Sequence, residues 1–243
     1  LFMLAGALDH ETGTKDITRM GGLRHRMPKT AVITGLTALS LAGLPPLFGF
    51  VAKELLLESL LNAPVWQTGL LVAAVLSAIL VVAVAGLVII KPFFGPVVKT
   101  PKLPHEAPFA MLVGPGVLTL LALIFGVMPS LPASLVLDAA ISAISGYPVE
   151  TALALWHGIN IPLMLSGLSL LAGSFLVAAW HRLQPTLYAM NTAASRFGPE
   201  AGYFRLMEGI SQVAGWQTRI LQNGVLGTYL LVLVLVTFSL TGF

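Results

Sequence analysis

Runs of about 20 mainly apolar residues recur along the chain, and they limit what it can fold into. A helix that crosses a membrane needs about 20 such residues, because lipid cannot satisfy exposed backbone N–H and C=O groups. Only 9% of the 243 residues are charged, whereas soluble domains have about 25%. Mean hydropathy is +0.90. The sequence therefore predicts an all-α protein, a polytopic bundle of transmembrane helices.

The apolar runs predict five spans and the end of a sixth. The five spans cover residues 30–61, 66–90, 109–128, 155–180 and 225–243, and residues 1–8 form the remnant. We divide the chain into the end of a transmembrane bundle (1–180), a polar connection (181–224) and a final transmembrane helix (225–243). Because the sequence opens and closes inside apolar runs, we expect it to be a piece of a longer chain.

The distribution of positive charge predicts the orientation of these spans. Twelve of the thirteen Lys and Arg residues lie in the connections 11–29, 91–106 and 182–223, and none lies in 62–65 or 129–154. Cytoplasmic connections carry the excess of Lys and Arg in membrane proteins. The three basic connections are therefore predicted to be cytoplasmic, which requires residues 30–61 to cross the membrane once.

The thirteenth cation, Lys53, lies inside the span 30–61 and follows an interruption at residues 43–50. A lysine near the centre of a membrane helix costs about 2.5–3.5 kcal/mol, and such residues are usually functional. The alternative is a lysine near the outer end of the span that reaches for water. Leu56 and Leu57 occupy the positions three and four residues after Lys53, so its partners should come from another helix.

The interruption itself combines two prolines with two glycines. Pro45 and Pro46 have no N–H to donate, so helix carbonyls before them lose their partners. Gly43 and Gly49 allow the backbone to turn. Lipid cannot satisfy freed carbonyls, so this stretch should be buried in protein or line a hydrated cavity, as broken helices do at the ion sites of transporters. An ordinary proline kink is the alternative.

Several kinds of chemistry have no signature in the sequence. The chain contains no cysteine, so it has neither a thiol nucleophile nor a Cys-ligated cluster. No His, Asp or Glu residues have metal-ligand spacing, and neither a phosphate-binding loop nor a nucleophile elbow is present. The basic residues stand in short connections rather than on one face with aromatic residues. We expect no metal site, no cofactor and no nucleic-acid partner.

Residues 200–222 have a pattern of their own. Apolar residues recur there at helical spacing, at Tyr203, Leu206, Met207, Ile210, Val213 and Ala214, and most polar residues fall elsewhere. This pattern predicts an amphipathic helix that lies in the membrane interface. A weaker helical stretch, 185–196, precedes it.

Five short motifs carry a resemblance to a known family. They are DHETGTKD (9–16), MGGL (20–23), GLPPLFGF followed by AKE (43–54), PHEAP (104–108) and LWHG (155–158). The sequence resembles the large A-type subunit of Mrp-type multisubunit Na⁺/H⁺ antiporters, which is related to the L subunit of respiratory complex I. DHETGTKD, PHEAP and LWHG fit the antiporter branch. The resemblance covers most of the chain and is strongest over residues 1–60.

The resemblance implies roles for two residues. The family's broken twelfth helix carries a lysine that ends a central proton path, and Lys53 matches it. Its eleventh helix carries a histidine that feeds this path from the cytoplasm, and His10 matches it. Asp9, Glu11 and Glu54 are then candidates for the path or for its support. By its position alone, His10 could instead be a surface histidine at a helix end.

The resemblance also implies a function. The chain would be a subunit of a secondary transporter rather than an enzyme, in the cell membrane of a prokaryote. H⁺ and Na⁺ would be the transported ions, and other membrane subunits and the lipid bilayer would be its partners. Two alternatives stay open: a proton-pumping L-type subunit of a redox-driven complex (NADH:quinone oxidoreductase or membrane hydrogenase), and a membrane scaffold that transports nothing.

The remaining histidines have ordinary interpretations. His157, beside Trp156 at the start of the span 155–180, is interpreted as structural, because aromatic residues are common at membrane interfaces. The other three, His25, His105 and His181, lie in basic connections and are predicted to be solvated.

Overall fold

The computed structural model describes residues 1–148, 151, 153–156, 158–195, 198–221 and 226–242. These residues contain no β-strand, and the all-α prediction is confirmed. The helices are α1 (Phe2–Thr12), α2 (Pro28–Ala42), α3 (Phe48–Leu61), α4 (Gln67–Ile89), α5 (Phe109–Val127), α6 (Ser130–Pro132), α7 (Asp138–Ser145), α8 (Ile161–Ala178), α9 (Trp180–Ala194), α10 (Pro199–Leu221) and α11 (Leu226–Thr241). Short 3₁₀ turns lie between α1 and α2, and π-helical turns follow α4 (Ile90–Phe94) and join α6 to α7 (Ala133–Leu137).

Three helices of the described part of the chain are long and apolar enough to cross a membrane. They are α4 with its π-helical extension, α5 and α8. The predicted span 155–180 was wrong at its start, because α8 begins at Ile161. The side chain of Asn160 caps α8 by accepting a hydrogen bond from the Leu163 N–H at 2.9 Å. Pro162 fills the first turn, where proline is favoured. These two residues fix the start of the helix.

The predicted break in the span 30–61 is confirmed. α2 has 15 residues and α3 has 14, so neither part alone reaches the length of a full span. Gly43 ends α2 with a left-handed φ of 75°. The N–H groups of Gly43 and Leu44 bond the carbonyls of Ser40 and Leu39 at 3.0 and 3.1 Å. This is the hydrogen-bond pattern of a Schellman motif, which satisfies carbonyls at a helix end.

Two glycines let neighbouring backbone approach the break. The prediction that Gly49 takes part in the turn was wrong, because Gly49 lies inside α3. A Cβ atom there would stand 1.8 Å from the carbonyl oxygen of Ser40 in α2. A Cβ atom on Gly126 of α5 would stand 2.0 Å from the carbonyl oxygen of Pro46. Small residues at these contacts bring helix backbones together, as is common in membrane bundles.

The continuous helices α4 and α8 form the largest helix contact in the described residues, and glycines shape it as well. A Cβ atom on Gly86 of α4 would approach Val177 of α8 to 2.7 Å, and one on Gly173 of α8 would approach Val82 of α4 to 2.5 Å. The packing is reciprocal, because a glycine of each helix lies against a valine of the other. This contact fixes α8 in place beside the broken helix.

Helical structure also fills part of the predicted connection 129–154, which sequence analysis did not anticipate. The two short helices α6 and α7 and the π-helical turn between them run from Ser130 to Ser145. Pro132 lies near the start, where its missing N–H costs little. Asp138 is the first residue of α7 and continues the helix from the π-helical turn, with its N–H bonded to the Ala133 carbonyl. Its carboxylate also accepts a hydrogen bond from the Thr151 N–H at 2.8 Å.

The chain divides into two compact units, Leu1–Trp180 and His181–Phe243. In the first unit, buried apolar residues join α1, α5 and the segments around them, including Leu4, Leu8, Leu23, Met27, Phe93 and Leu112. In the second unit, α10 confirms the helix predicted over 200–222, and α11 covers most of the predicted span 225–243. α9 begins earlier than the predicted stretch 185–196. Val225, Phe243 and Arg196 lie outside the described residues, and the three-part division of the chain stays a prediction.

Candidate functional site

Lys53 lies in the second turn of α3 and is held by α8. Its ammonium Nζ donates a hydrogen bond to the Oγ of Ser169 at 2.7 Å. Ser169 Oγ donates its own proton to the carbonyl of Ser166 at 2.8 Å, so it is left to accept from the lysine. Ser169 is fully buried. The partner of Lys53 therefore comes from another helix, as the spacing along α3 requires, and its ammonium points into the bundle.

The stem of Lys53 crosses the end of α2. A Cβ atom on Gly43 would come within 2.7 Å of Lys53 Cδ. Gly43 thus serves the break in two ways. It adopts a backbone conformation that other residues rarely take, and it leaves room for the aliphatic part of the lysine. The break and the lysine form one structural feature.

Two glutamates lie on a different face of α3 from Lys53. Glu54 and Glu58 both line a small cleft against the segment before α8, where Trp156 and Asn160 also contribute. Their i,i+4 spacing puts them on one side of the helix. The Oε1 atom of Glu54 is buried and has no hydrogen-bond partner among the described residues. Glu54 thus lies beside the cleft. Lys53, in contrast, is bonded to the hydroxyl of Ser169.

The polar end of α1 holds a second buried charge. Glu11 is 2% exposed, and its Oε1 lies 2.9 Å from Nδ1 of His10. Its Oε2 lies 3.0 Å from Nδ1 of His105, which comes from the connection between α4 and α5. The side chain of His105 is 74% exposed, as predicted, and it also contacts the buried Glu11 carboxylate, which was not predicted. His10 does stand at a helix end, but it is joined to a buried carboxylate.

Other charges around this end of α1 are paired elsewhere. The ammonium of Lys102 donates to the carbonyl of His10 at 3.1 Å, and the Lys102 N–H donates to the carbonyl of Thr12 at 3.1 Å. Asp9 lies 3.9 Å from the ammonium of Lys15. The connection 91–106 is thus tied to the end of α1 by both backbone and side chains.

Glu106 ties the same connection to the start of α2. Its carboxylate accepts from the N–H groups of Lys29 and Thr30 at 2.8 and 3.0 Å and from the Thr30 hydroxyl at 2.6 Å. Partial burial raises the pKa of Glu106, but these hydrogen bonds and the charge of Lys29 outweigh it, so its pKa lies below the usual value. A carboxylate from a distant segment therefore caps α2, whose own first residues provide no side-chain cap.

Comparisons with known proteins agree with this architecture. A family model described as "NADH:quinone oxidoreductase/Mrp antiporter, TM" matches residues 1–87. The A1 subunit of a Na(+)/H(+) antiporter from Staphylococcus haemolyticus is 36% identical over 79% of this chain and 26% of its own length. A Mrp complex structure from Dietzia sp. DQ12-45-1b superposes with a TM-score of 0.69 at 28% identity, over 99% of this chain and 26% of that chain. The chain belongs to the family of A-type Mrp antiporter subunits.

The names of the relatives differ in the cation that they give. A relative from Rhizobium meliloti, named as a probable K(+)/H(+) antiporter A/B subunit, is 37% identical over 71% of this chain and 18% of its own length. The chain spans about a quarter of the length of the staphylococcal relative. The names of these relatives describe antiporter subunits, not enzymes, and they do not favour a redox-driven complex or a scaffold.

Sequence reasoning missed three residues of the site. Ser169 and Ser166 stand three residues apart in an apolar span, and polar residues in such spans usually face the bundle interior, so their spacing was a usable signal. Glu106 is the one acidic residue of the connection 91–106, but nothing local shows that it caps α2. His157 lies outside the described residues. Among the described residues, no three His, Asp or Glu side chains form a metal-binding group.

Proposed function

We propose that this chain is a proton-translocating part of a multisubunit cation/H⁺ antiporter and that protons pass through Lys53. The observation that carries the proposal is the position of Lys53, next to a broken helix and bonded to a fully buried hydroxyl of α8. An ionisable residue within a membrane bundle is costly and is usually retained for function. The relationship to antiporter subunits gives that function its class.

The interior around the broken helix has spare hydrogen-bonding capacity. Thr34 Oγ1 in α2, Ser166 Oγ in α8 and Glu54 Oε1 in α3 are buried and make no hydrogen bond among the described residues. Native proteins rarely leave such atoms unsatisfied unless they serve a function or bind water. Polar atoms of this kind on three helices around Lys53 suit a hydrated proton path.

Protons would reach this path from the polar end of α1. His10 is exposed to water and joined to the buried Glu11, and histidine is the side chain that exchanges protons most readily near neutral pH. Asp9 would support this end through its contact with Lys15. Glu54 follows Lys53 in α3 and lines the cleft on a different face of that helix. It would serve the part of the path beyond the lysine.

The ions, partners and location follow from the same proposal. Relatives are named for Na⁺ or K⁺ exchange, and we take Na⁺ as the first candidate for the cation. Other membrane subunits of the complex and the lipid bilayer would surround the bundle. We place the chain in a prokaryotic plasma membrane with the connections 11–29, 91–106 and 182–223 in the cytoplasm, because these contain nearly all Lys and Arg residues.

Substitution of Lys53 in the complete antiporter tests the proposal. Lys53→Ala should abolish cation-driven proton flux in everted membrane vesicles while the complex assembles at normal levels. Lys53→Arg should fail as well, because arginine does not release its proton. Lys99→Ala, which removes an exposed lysine from a connection, is the matched control and should exchange normally. Wild-type exchange by Lys53→Ala would support the scaffold alternative instead.

A further inference from the structure

A carboxylate buried between two imidazoles closes the polar end of α1. Glu11 is 2% exposed, whereas the side chains of His10 and His105 are 61% and 74% exposed. Each imidazole faces a different oxygen of Glu11 through its Nδ1, at 2.9 and 3.0 Å. His10 Nδ1 is hydrogen-bonded to Glu11. His105 Nδ1 lies at ion-pair distance from Glu11 and is also 3.1 Å from the Glu106 carbonyl, to which it is hydrogen-bonded. The three groups form one unit that connects water to a buried carboxylate, and His105 comes from a segment far along the chain.

The chemistry of this unit has a direction. An ionised carboxylate only accepts hydrogen bonds, so each Nδ1 carries a proton and Nε2 is the nitrogen that takes up another. Once Nε2 has accepted a proton from water, the Nδ1 proton can move to Glu11. The imidazole is then neutral with its proton on Nε2, and Glu11 is a neutral acid that can pass its proton inward. The imidazole regains its Nδ1 proton through water.

We propose that Glu11 is the proton-receiving carboxylate at this end of α1 and that His105 supplies it in parallel with His10. This inference rests on the proposed proton path through Lys53. Because the two imidazoles use different oxygens of one carboxylate, either of them can deliver a proton while the other stays in place.

The charges nearby leave Glu11 to its two imidazoles. Lys102 is directed to the His10 carbonyl, and Asp9 faces Lys15. Glu106, next to His105, caps α2 through Lys29 and Thr30. In the part of the chain that the structure describes, no Lys or Arg forms a salt bridge with Glu11. The charged or protonatable side chains in contact with Glu11 are therefore its two imidazoles.

Glutamine substitutions separate proton supply from structure. A glutamine amide can donate a hydrogen bond to Glu11 as Nδ1 does, but it cannot carry a proton through. In the complete antiporter complex, reconstituted in vesicles and normalised to assembled complex, His10→Gln and His105→Gln should each retain at least about half of the cation-driven proton flux. The double variant should lose about tenfold, which is more than the product of the two single effects. Glu11→Gln should match the double variant.

His25→Gln is the matched control, because His25 is an exposed histidine of the connection 11–29 whose ring bonds Arg24 rather than Glu11. It should exchange at the wild-type rate. A double variant that exchanges normally, or that shows only the product of the single effects, overturns the inference. Lys53→Ala is measured alongside. If it abolishes flux while the double variant does not, only the role of Glu11 and His105 fails, whereas flux by Lys53→Ala overturns the proposed function itself.

Discussion

Lys53 and Glu11 are two charged groups that the protein satisfies in different ways. Lys53 lies in the bundle interior, and its ammonium has a partner that does not titrate, the hydroxyl of Ser169. Glu11 lies at a helix end, and its partners are two imidazoles that are largely exposed to water. A buried charge is tolerated only when it is well paired and hydrogen-bonded. The hydroxyl partner holds Lys53 in position, whereas the partners of Glu11 are imidazoles, which can themselves accept and donate a proton.

Ser169→Ala should have the largest effect on the interior half of this comparison. It removes the acceptor of the Lys53 ammonium, and a hydrogen bond to a charged group contributes about 1.5–3 kcal/mol. We expect a lower midpoint of thermal unfolding for the purified complex and slower exchange. Ser174→Ala is the matched control, because Ser174 is an exposed serine of the same helix. Equal effects of the two variants would mean that the contact between Lys53 and Ser169 is dispensable.

Glu106→Gln should have a smaller effect, at the polar end. The carboxylate caps α2, and loss of a helix cap costs about 1 kcal/mol. The pKa of Glu106 is lowered in the folded protein from the ordinary value of 4.5, so its ionised form stabilises the fold. This stabilisation is present above that ordinary value and is lost as the pH falls through the folded-state pKa.

The thermal midpoint of the Glu106→Gln complex should therefore lie below that of the wild type at neutral pH, and the difference should shrink on acidification below about 4.5. Lys99→Gln, which changes an exposed charge of the same connection, controls for net charge. A difference that persists unchanged in acid would show that the Glu106 carboxylate does not carry the cap.

Two cysteine substitutions should change exchange least of all these variants. They test on which side of the membrane the end of α1 with Glu11 lies. The chain has no native cysteine, so Thr100→Cys and Ser145→Cys each provide a single site in this part of the antiporter. In the full-length protein, a membrane-impermeant thiol reagent should reach the two sites from opposite sides, with Thr100→Cys on the cytoplasmic side near Glu11. Labelling from the same side would contradict a single crossing by α2 and α3.

The sequence by itself determined the helical class, two of the three long spans, the break after Gly43 and the place of Lys53 just beyond that break. These depend on local properties. Lipid demands about 20 apolar residues in a helix, proline lacks an N–H, and a lysine inside an apolar run is costly wherever the neighbours lie. The sequence did not predict the late start of α8 at Ile161 or the helices between Ser130 and Ser145, because apolar content alone does not locate a helix end.

Only the tertiary structure decided which groups meet. Ser169 accepts a hydrogen bond from Lys53. His105 and His10 both contact Glu11. Glu106 caps a helix that begins in a distant segment. Gly49 looked like a turn residue but allows α3 to approach α2. None of these pairings leaves a periodic pattern in the sequence, because each joins one residue to another across helices. Glycine contacts such as those between α4 and α8 let whole helices pack closely. This packing fixes the positions of the polar residues on those helices.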